Sequence, residues 1–358
     1  MTRPVSSFAF LAGLALLLAT CGGRATSKGD PIAGDVARWK RYLAQDTVTV
    51  GFVAQVKGAA APALASADEA LAKGRHAVAL LRLGSVRTNL EPGLRVPPQP
   101  TYDQFDAEHA KLAPRFTREA TKPLTHPANT SALGRALAQA SVMQARETYD
   151  ASDAYGRATE PLFGVFYLEQ AVSYLDYASF AAEAGASLRP AGGRDPALRS
   201  IAPEIRALRD ELLAAYRPPL SIDRQPEYIG ASSAIKEALE YDAAGLYEAA
   251  LLRYLQAAVR FASLRPGHAP LDAAALAAKT EEWRKRLAAP GIDHSIGVLF
   301  LEVAAGDADT ARAGHAVVAS AIVEDVMPRY FAALAPARAV TASKSPEVTV
   351  TLVRWPYT

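Results

Sequence analysis

Six histidines are spread along the 358-residue chain: His76, His109, His126, His268, His294 and His315. None forms the two-ligand helical spacing of an HExxH site. The densest convergence of acid and imidazole is Asp293-His294 at a helix start, with Glu302 and His315 on the hairpin that follows. Gathered in one cleft, within about 4 Å of one another, such groups would hold a metal or move protons in a hydrolysis. Asp293 serves equally well as an N-cap, and scattered histidines are ordinary surface groups of helical proteins. Asp307 and Asp309 beside Gly306 supply half of a calcium loop, but the later Gly and Glu are missing. They read better as N-terminal charges on the next helix. The mature chain has no GxSxG, phosphate loop or dinucleotide fingerprint. This reading yields no catalytic set, no metal ligands and no cofactor.

Aromatic side chains offer recognition instead. Phe163, Phe166, Tyr167, Tyr174 and Tyr177 share roughly one helix face in PLFGVFYLEQAVSYLDYASF. Tyr241, Tyr247 and Tyr254 form a second cluster. A tyrosine has an apolar body and a polar tip, which suits a groove for sugars, peptides or a partner helix. The same spacing suits rings that fill a helical core. Tyr174, Tyr177, Tyr247 and Tyr254 are the candidate contacts. Trp283, on the charged helix EEWRKRLAA, reads as exposed. Trp39 and Trp355 lie near the two ends, where they would mark a meeting of the ends.

The elements that position these groups are helices. Half of the chain is hydrophobic and 21% is charged, a globular composition. Thirty-nine basic residues face thirty-seven acidic ones, so the basic excess of a nucleic-acid binder is absent. From Asp35 onward, apolar residues recur at helical spacing, Ala and Leu against Glu, Arg and Lys. Pro- and Gly-rich breaks fall at 91–101, 122–131, 185–196, 217–226, 266–270 and 290–293. Ser131, Asp272 and Asp293 are placed to cap the helices that follow them.

The stretch 241–266, YDAAGLYEAALLRYLQAAVRFASLRP, is two helices folded back at Gly245, because glycine takes the left-handed conformation cheaply just past a helix end. It resembles one tetratricopeptide repeat: Ala238, Tyr241, Gly245, Tyr247, Ala250, Tyr254 and Ala257 fall at that family's spacings. Pro266 comes about one turn late for the pattern. Weaker echoes pivot at Gly74 within 67–92 and at Gly306 within 297–318. The expected fold is therefore all-α, with helical hairpins stacked either as a tetratricopeptide-like superhelix or as an irregular bundle. At the tail, 347–355 (EVTVTLVRW) alternates like a short β-strand, with 47–50 (TVTV) as one candidate partner.

Residues 1–23 read MTRPVSSFAFLAGLALLLATCGG. Arg3 precedes an apolar core of about twelve residues, the right length for a signal peptide and too short to span a bilayer. Leu18-Ala19-Thr20-Cys21 then resembles the lipobox of bacterial lipoproteins, with Thr20 where Gly, Ala or Ser is usual. The resemblance implies cleavage before Cys21, acylation of its thiol, and a membrane anchor. Gly22 in place of Asp implies, by the same analogy, the periplasmic face of the outer membrane. The expected organisation is a signal peptide over 1–20, a lipidated tether over 21–34, a helical repeat body over 35–340 and a tail over 341–358. Such a body suits a non-enzymatic scaffold or assembly factor for an envelope protein partner, without nucleic acid. A small-molecule or glycan-binding accessory of an envelope transport system is the alternative, and a hydrolase at Asp293, His294 and His315 the third reading.

Overall fold

A computed structural model describes residues 29–44, 52–97, 99–121, 126–158, 160–218, 222–262, 264, 269–309 and 313–334. Cys21, the 47–50 segment and the tail strand lie outside the described residues. The regular elements among those described are helical. In chain order they are α1 (Pro31–Ala44), α2 (Phe52–Ala72), α3 (His76–Arg95), α4 (Tyr102–Thr121), α5 (Ala132–Ala158) and α6 (Pro161–Ala184). Then follow α7 (Ala202–Ala215), α8 (Gln225–Ala243), α9 (Tyr247–Ala262), α10 (Ala273–Leu287), α11 (Ser295–Ala308) and α12 (Ala313–Ala321). A π turn (Ile322–Val326) leads into α13 (Met327–Leu334). The chain divides into two compact units, Met1–Arg189 and Pro190–Thr358.

Unit 1 is organised by the α5–α6 hairpin, whose helices approach closely at both ends. A Cβ on Gly164 would lie 2.6 Å from the Gly156 Cα, and a Cβ on Gly185 would lie 2.7 Å from the Gly134 Cα. Only residues without side chains permit this spacing. Ser131 caps α5 as expected, its Oγ accepting from the Gly134 N–H at 3.1 Å. On the other side of α6, the Tyr177 ring lies over Gly84 of α3, and its hydroxyl donates to the Leu80 carbonyl at 2.8 Å. Gly93, further along α3, leaves room for Val56 of α2.

The break expected at 91–101 begins later: α3 runs through Pro92 and ends at Arg95. Proline has no N–H, so the Thr88 carbonyl loses its partner in the next turn. Gln170 of α6 supplies the replacement, its Nε2 donating to that oxygen at 3.0 Å. Unit 2 repeats the device. At the π turn, Met327 N–H bonds to Ile322 O, so the same register would pair Val323 O with Pro328, which has no N–H. The Trp283 indole donates to Val323 O at 2.7 Å. Trp283 is therefore buried and stacked on Phe331, and the reading that left it exposed on a charged face is corrected.

Two turns share one hydrogen-bond pattern. Gly74 has φ +70° and Gly245 has φ +75°. Around each, the next residue's N–H reaches five residues back, Arg75 to Ala70 and Leu246 to Tyr241, while the glycine N–H reaches three back. This is the Schellman arrangement. Gly306 behaves differently: it lies inside α11, which ends at Ala308 with Asp309 as its C-cap. A glycine inside a helix costs only about 1 kcal/mol relative to alanine, which the packing of an apolar helix outweighs. The pivot expected there is displaced toward Asp309.

In unit 2, Arg329 joins four elements. Its guanidinium meets Glu211 of α7 at 3.1 and 3.2 Å, Asp325 of the π turn at 3.1 Å and the Tyr254 hydroxyl of α9 at 3.2 Å. Asp242 of α8 accepts from the Ser200 hydroxyl at 2.6 Å and the Ile201 N–H at 2.8 Å, holding the start of α7.

Two stability measurements follow from this packing. Gly164→Ala should lower the urea stability of unit 1 by about 1–3 kcal/mol through overpacking, whereas Gly34→Ala, helical and open to solvent, should raise it by up to about 1 kcal/mol. Gln170→Leu should cost about 1 kcal/mol in the natural chain and clearly less beside Pro92→Ala, which restores the missing N–H. Equal costs in both backgrounds would show that Gln170 does not replace the proline donor.

Candidate functional site

The acid–imidazole constellation of 293–315 is divided between different partners. Asp293 is fully buried and its Oδ1 accepts from the Ser295 N–H at 2.9 Å. Because α11 starts at Ser295, His294 occupies the N-cap position and Asp293 caps from one residue earlier. His294 Nδ1 lies 2.9 Å from the Tyr330 hydroxyl, with its ring against Tyr330 and Phe331. Burial lowers the imidazole below its ordinary value, opposed by the Asp293 carboxylate, and burial raises the Tyr330 phenol. His315 instead pairs with Asp307 Oδ1 at 2.7 Å. Asp307 and Asp309 thus close α11, which corrects their expected place at the start of the next helix. Among the described residues no group of three or more His, Cys, Asp or Glu is arranged to hold a metal.

The four candidate tyrosines are not one surface. Tyr177 and Tyr254 are each only 3% exposed, and their hydroxyls are committed to Leu80 and Arg329. Burial raises both phenols. Tyr174 packs partly against the core formed by Phe105, Phe116, Tyr149 and Leu168, and Tyr247 is half-buried at the start of α9. On α6, Tyr177 is covered by α3 and Tyr174 lies against the α4–α5 core, so in this half of the helix periodicity marked a packed side. Tyr177 and Tyr254 are corrected from contact residues to core residues.

Exposed aromatics occur at the other end of α6. Tyr102 is 49% exposed, Tyr155 47% and Phe163 41%. Tyr155 stacks on Tyr167 with centroids 4.7 Å apart and planes at 15°, and Phe166 meets Tyr167 edge-on at 6.0 Å. Three helix termini create this tip. Thr101 and Gln104 form a reciprocal capping box that fixes Tyr102 as the first residue of α4. Phe105, fully buried, wedges against Gly156 near the end of α5 and Gly164 near the start of α6. Arg157 bridges Asp153 at 2.7 Å and Asp106 at 3.1 Å, tying α5 to α4 across the tip. Phe163, Phe166 and Tyr167 were legible as an aromatic run. Tyr102 and Tyr155 were missed because neighbouring acids gave them the look of a solvated face, and the available signal was the close pair of glycines in YGRATEPLFG.

A second assembly in unit 1 is ionic. Arg87 forms a buried two-pronged pair with Asp35 at 2.9 and 3.1 Å and lies 4.2 Å over the Phe180 ring. Arg38 spans Asp35 and Glu91, and Arg95 reaches Glu169 and Asp176. Arg115 of α4 also meets Asp176, at 3.5 Å. Burial pushes the Glu91 and Glu169 carboxyls upward, against the pull of neighbouring arginines. The network links α1, α3, α4 and α6, and what it does on this geometry is fasten helices.

The pKa directions give opposite acid responses. Because the folded imidazole of His294 titrates below its unfolded value near 6.5, the folded chain binds fewer protons there. Its contribution to stability is complete above about pH 6.5 and is lost as pH falls through the lowered value. The raised Glu91 and Glu169 contribute most below about pH 4.3, and that contribution is lost as pH rises through their folded values. Urea midpoints of unit 2 should therefore fall between about pH 7 and 5, and His294→Gln should flatten that segment. An equally steep fall in His294→Gln would remove His294 as its source.

No protein-family model, no curated protein and no solved structure matches the chain.

Proposed function

We propose that the chain is a lipid-anchored, non-enzymatic scaffold or assembly factor of the bacterial cell envelope that binds a protein or peptide partner on a helical surface. The observation that carries this reading is the aromatic tip of unit 1, where Tyr102, Tyr155 and Phe163 are solvent-exposed and Tyr155 stacks on Tyr167. Large aromatic side chains in contact with water are what protein interfaces are enriched in. The matched Schellman turns at Gly74 and Gly245 support tetratricopeptide-like hairpins within the units. Membrane attachment rests on the lipobox-like residues before Cys21; among the described residues no helix is long and apolar enough to cross a membrane. A periplasmic, outer-membrane location belongs to the same proposal. The hydrolase reading loses its support because His294 and His315 have different partners. The glycan-binding alternative would draw on the same exposed rings.

The test joins anchor and partner. Fatty-acid labelling should mark the wild-type chain and leave Cys21→Ala unlabelled. Gentle solubilisation of membranes should then recover an envelope protein in stoichiometric amount with tagged wild type and much less with Cys21→Ala. A labelled, well-folded chain that purifies with no stoichiometric partner would overturn the scaffold reading and leave glycan binding to be measured.

A further inference from the structure

The tip of unit 1 carries a charge imbalance as well as exposed rings. Residues 101–106 and 150–164 contain five acids, Asp103, Asp106, Asp150, Asp153 and Glu160, and one base, Arg157. That base is already engaged by Asp153 and Asp106. Asp103, Asp106, Asp150 and Glu160 are exposed. The full chain is formally +2, so this end of the hairpin has the opposite sign to the whole. Tyr102, Tyr155 and Phe163 stand among these acids, on the same three helix termini.

We propose that this acid-rimmed aromatic tip docks a basic segment of a partner protein, taking Lys or Arg side chains on its rings and carboxylates and aliphatic side chains between the rings. The proposal rests on the scaffold reading and names the surface and partner chemistry for it. A cation is attracted to the face of an aromatic ring and gains further from a carboxylate within hydrogen-bond reach. The same chain already uses the pairing internally: Arg87 lies over Phe180, Arg38 over Trp39 and Arg286 over Trp283, at 4.2 to 4.5 Å from the ring centroids.

Charge decides among possible occupants. An anionic lipid surface or a nucleic acid would bring negative charge against the acids. A second copy docking through the same patch would face acid with acid, because a two-fold interface is self-complementary. A neutral glycan would use the rings and donate hydroxyls to the carboxylates, but would bring no charge to offset them. A basic peptide segment satisfies both.

The experiment uses the purified full chain and dye-labelled peptides of about fifteen residues, long enough to lie across a helical tip. One peptide alternates Lys and Arg with Leu, a second has every Lys and Arg replaced by Gln, and a third by Glu. The basic peptide should bind at least about tenfold more tightly than either analogue, and its affinity should fall between about 50 and 300 mM salt. The pair Tyr155→Ser with Phe163→Ser, and separately Asp103→Lys with Glu160→Lys, should each weaken it about tenfold. Leu213→Ser with Ile229→Ser, exposed apolar positions of unit 2, should not. Equal binding of the Gln peptide, unchanged affinity in either tip variant, or a dimer that the ring variant dissolves would overturn the proposal. If the ring variant still recovers its stoichiometric envelope partner, the tip is wrong and the scaffold reading stands. If wild type recovers no partner, the scaffold reading falls, whatever the peptides do.

Discussion

A buried helix can keep a proline only if some other group bonds the carbonyl that the proline abandons. Thr88 O and Val323 O are two such carbonyls, and each takes its hydrogen bond from a different helix, Gln170 of α6 and Trp283 of α10. Those bonds do more than repair a turn. Gln170 can reach Thr88 only if α3 and α6 lie side by side in one register, which is the register that places Tyr177 over Gly84. Trp283 can reach Val323 only if α10 packs on the π turn, which brings its ring onto Phe331. In each unit a proline thereby converts a local defect into a specification of which helices pair.

The second constraint is distance. With Gly156 against Gly164 and Gly134 against Gly185, the α5 and α6 backbones meet near both ends of the hairpin and leave no space at those points for large side chains. Rings on α6 must go elsewhere. Those in its later half are covered by α3 and the α4–α5 core, as Tyr177 is, while those in its first turns reach solvent, as Phe163 does. The aromatic tip is thus a consequence of how tightly the hairpin closes.

Local features were readable in the sequence. The glycine turns at Gly74 and Gly245, the caps at Ser131 and Asp272 and the helical character of the body depend on residues within a few positions of one another. Reading failed where the deciding partner was remote. Pro92 looked like a helix end because Gln170, far along the chain, was not visible as its remedy. Trp283 looked exposed because the carbonyl awaiting it belongs to another element. The tyrosines of α6 and α9 have the period of a face, and period alone cannot say whether that face meets water or another helix. For Asp293 the capping chemistry was legible and its position differed by one residue.

The contrast between the two charged regions of unit 1 bears on why the tip is more than surface. Through its ionic network, acids are matched by arginines: Asp35 by Arg87 and Arg38, Glu91 by Arg38, and Asp176 by Arg95 and Arg115. Such matching is what desolvated carboxylates require, since an unbalanced charge in a buried setting is strongly destabilising. At the tip five acids stand beside one arginine, which pairs with two of them, and water can tolerate the imbalance at small cost. Arg157 with Asp153 and Asp106 ties α5 to α4 there, Asp103 and Glu160 sit at helix N-termini, and Phe105, Gly156 and Gly164 hold the three helix ends together by packing. An exposed acid excess with a single base to offset it, set among rings that the fold leaves in solvent, is the arrangement expected of a surface whose complement is supplied by another molecule.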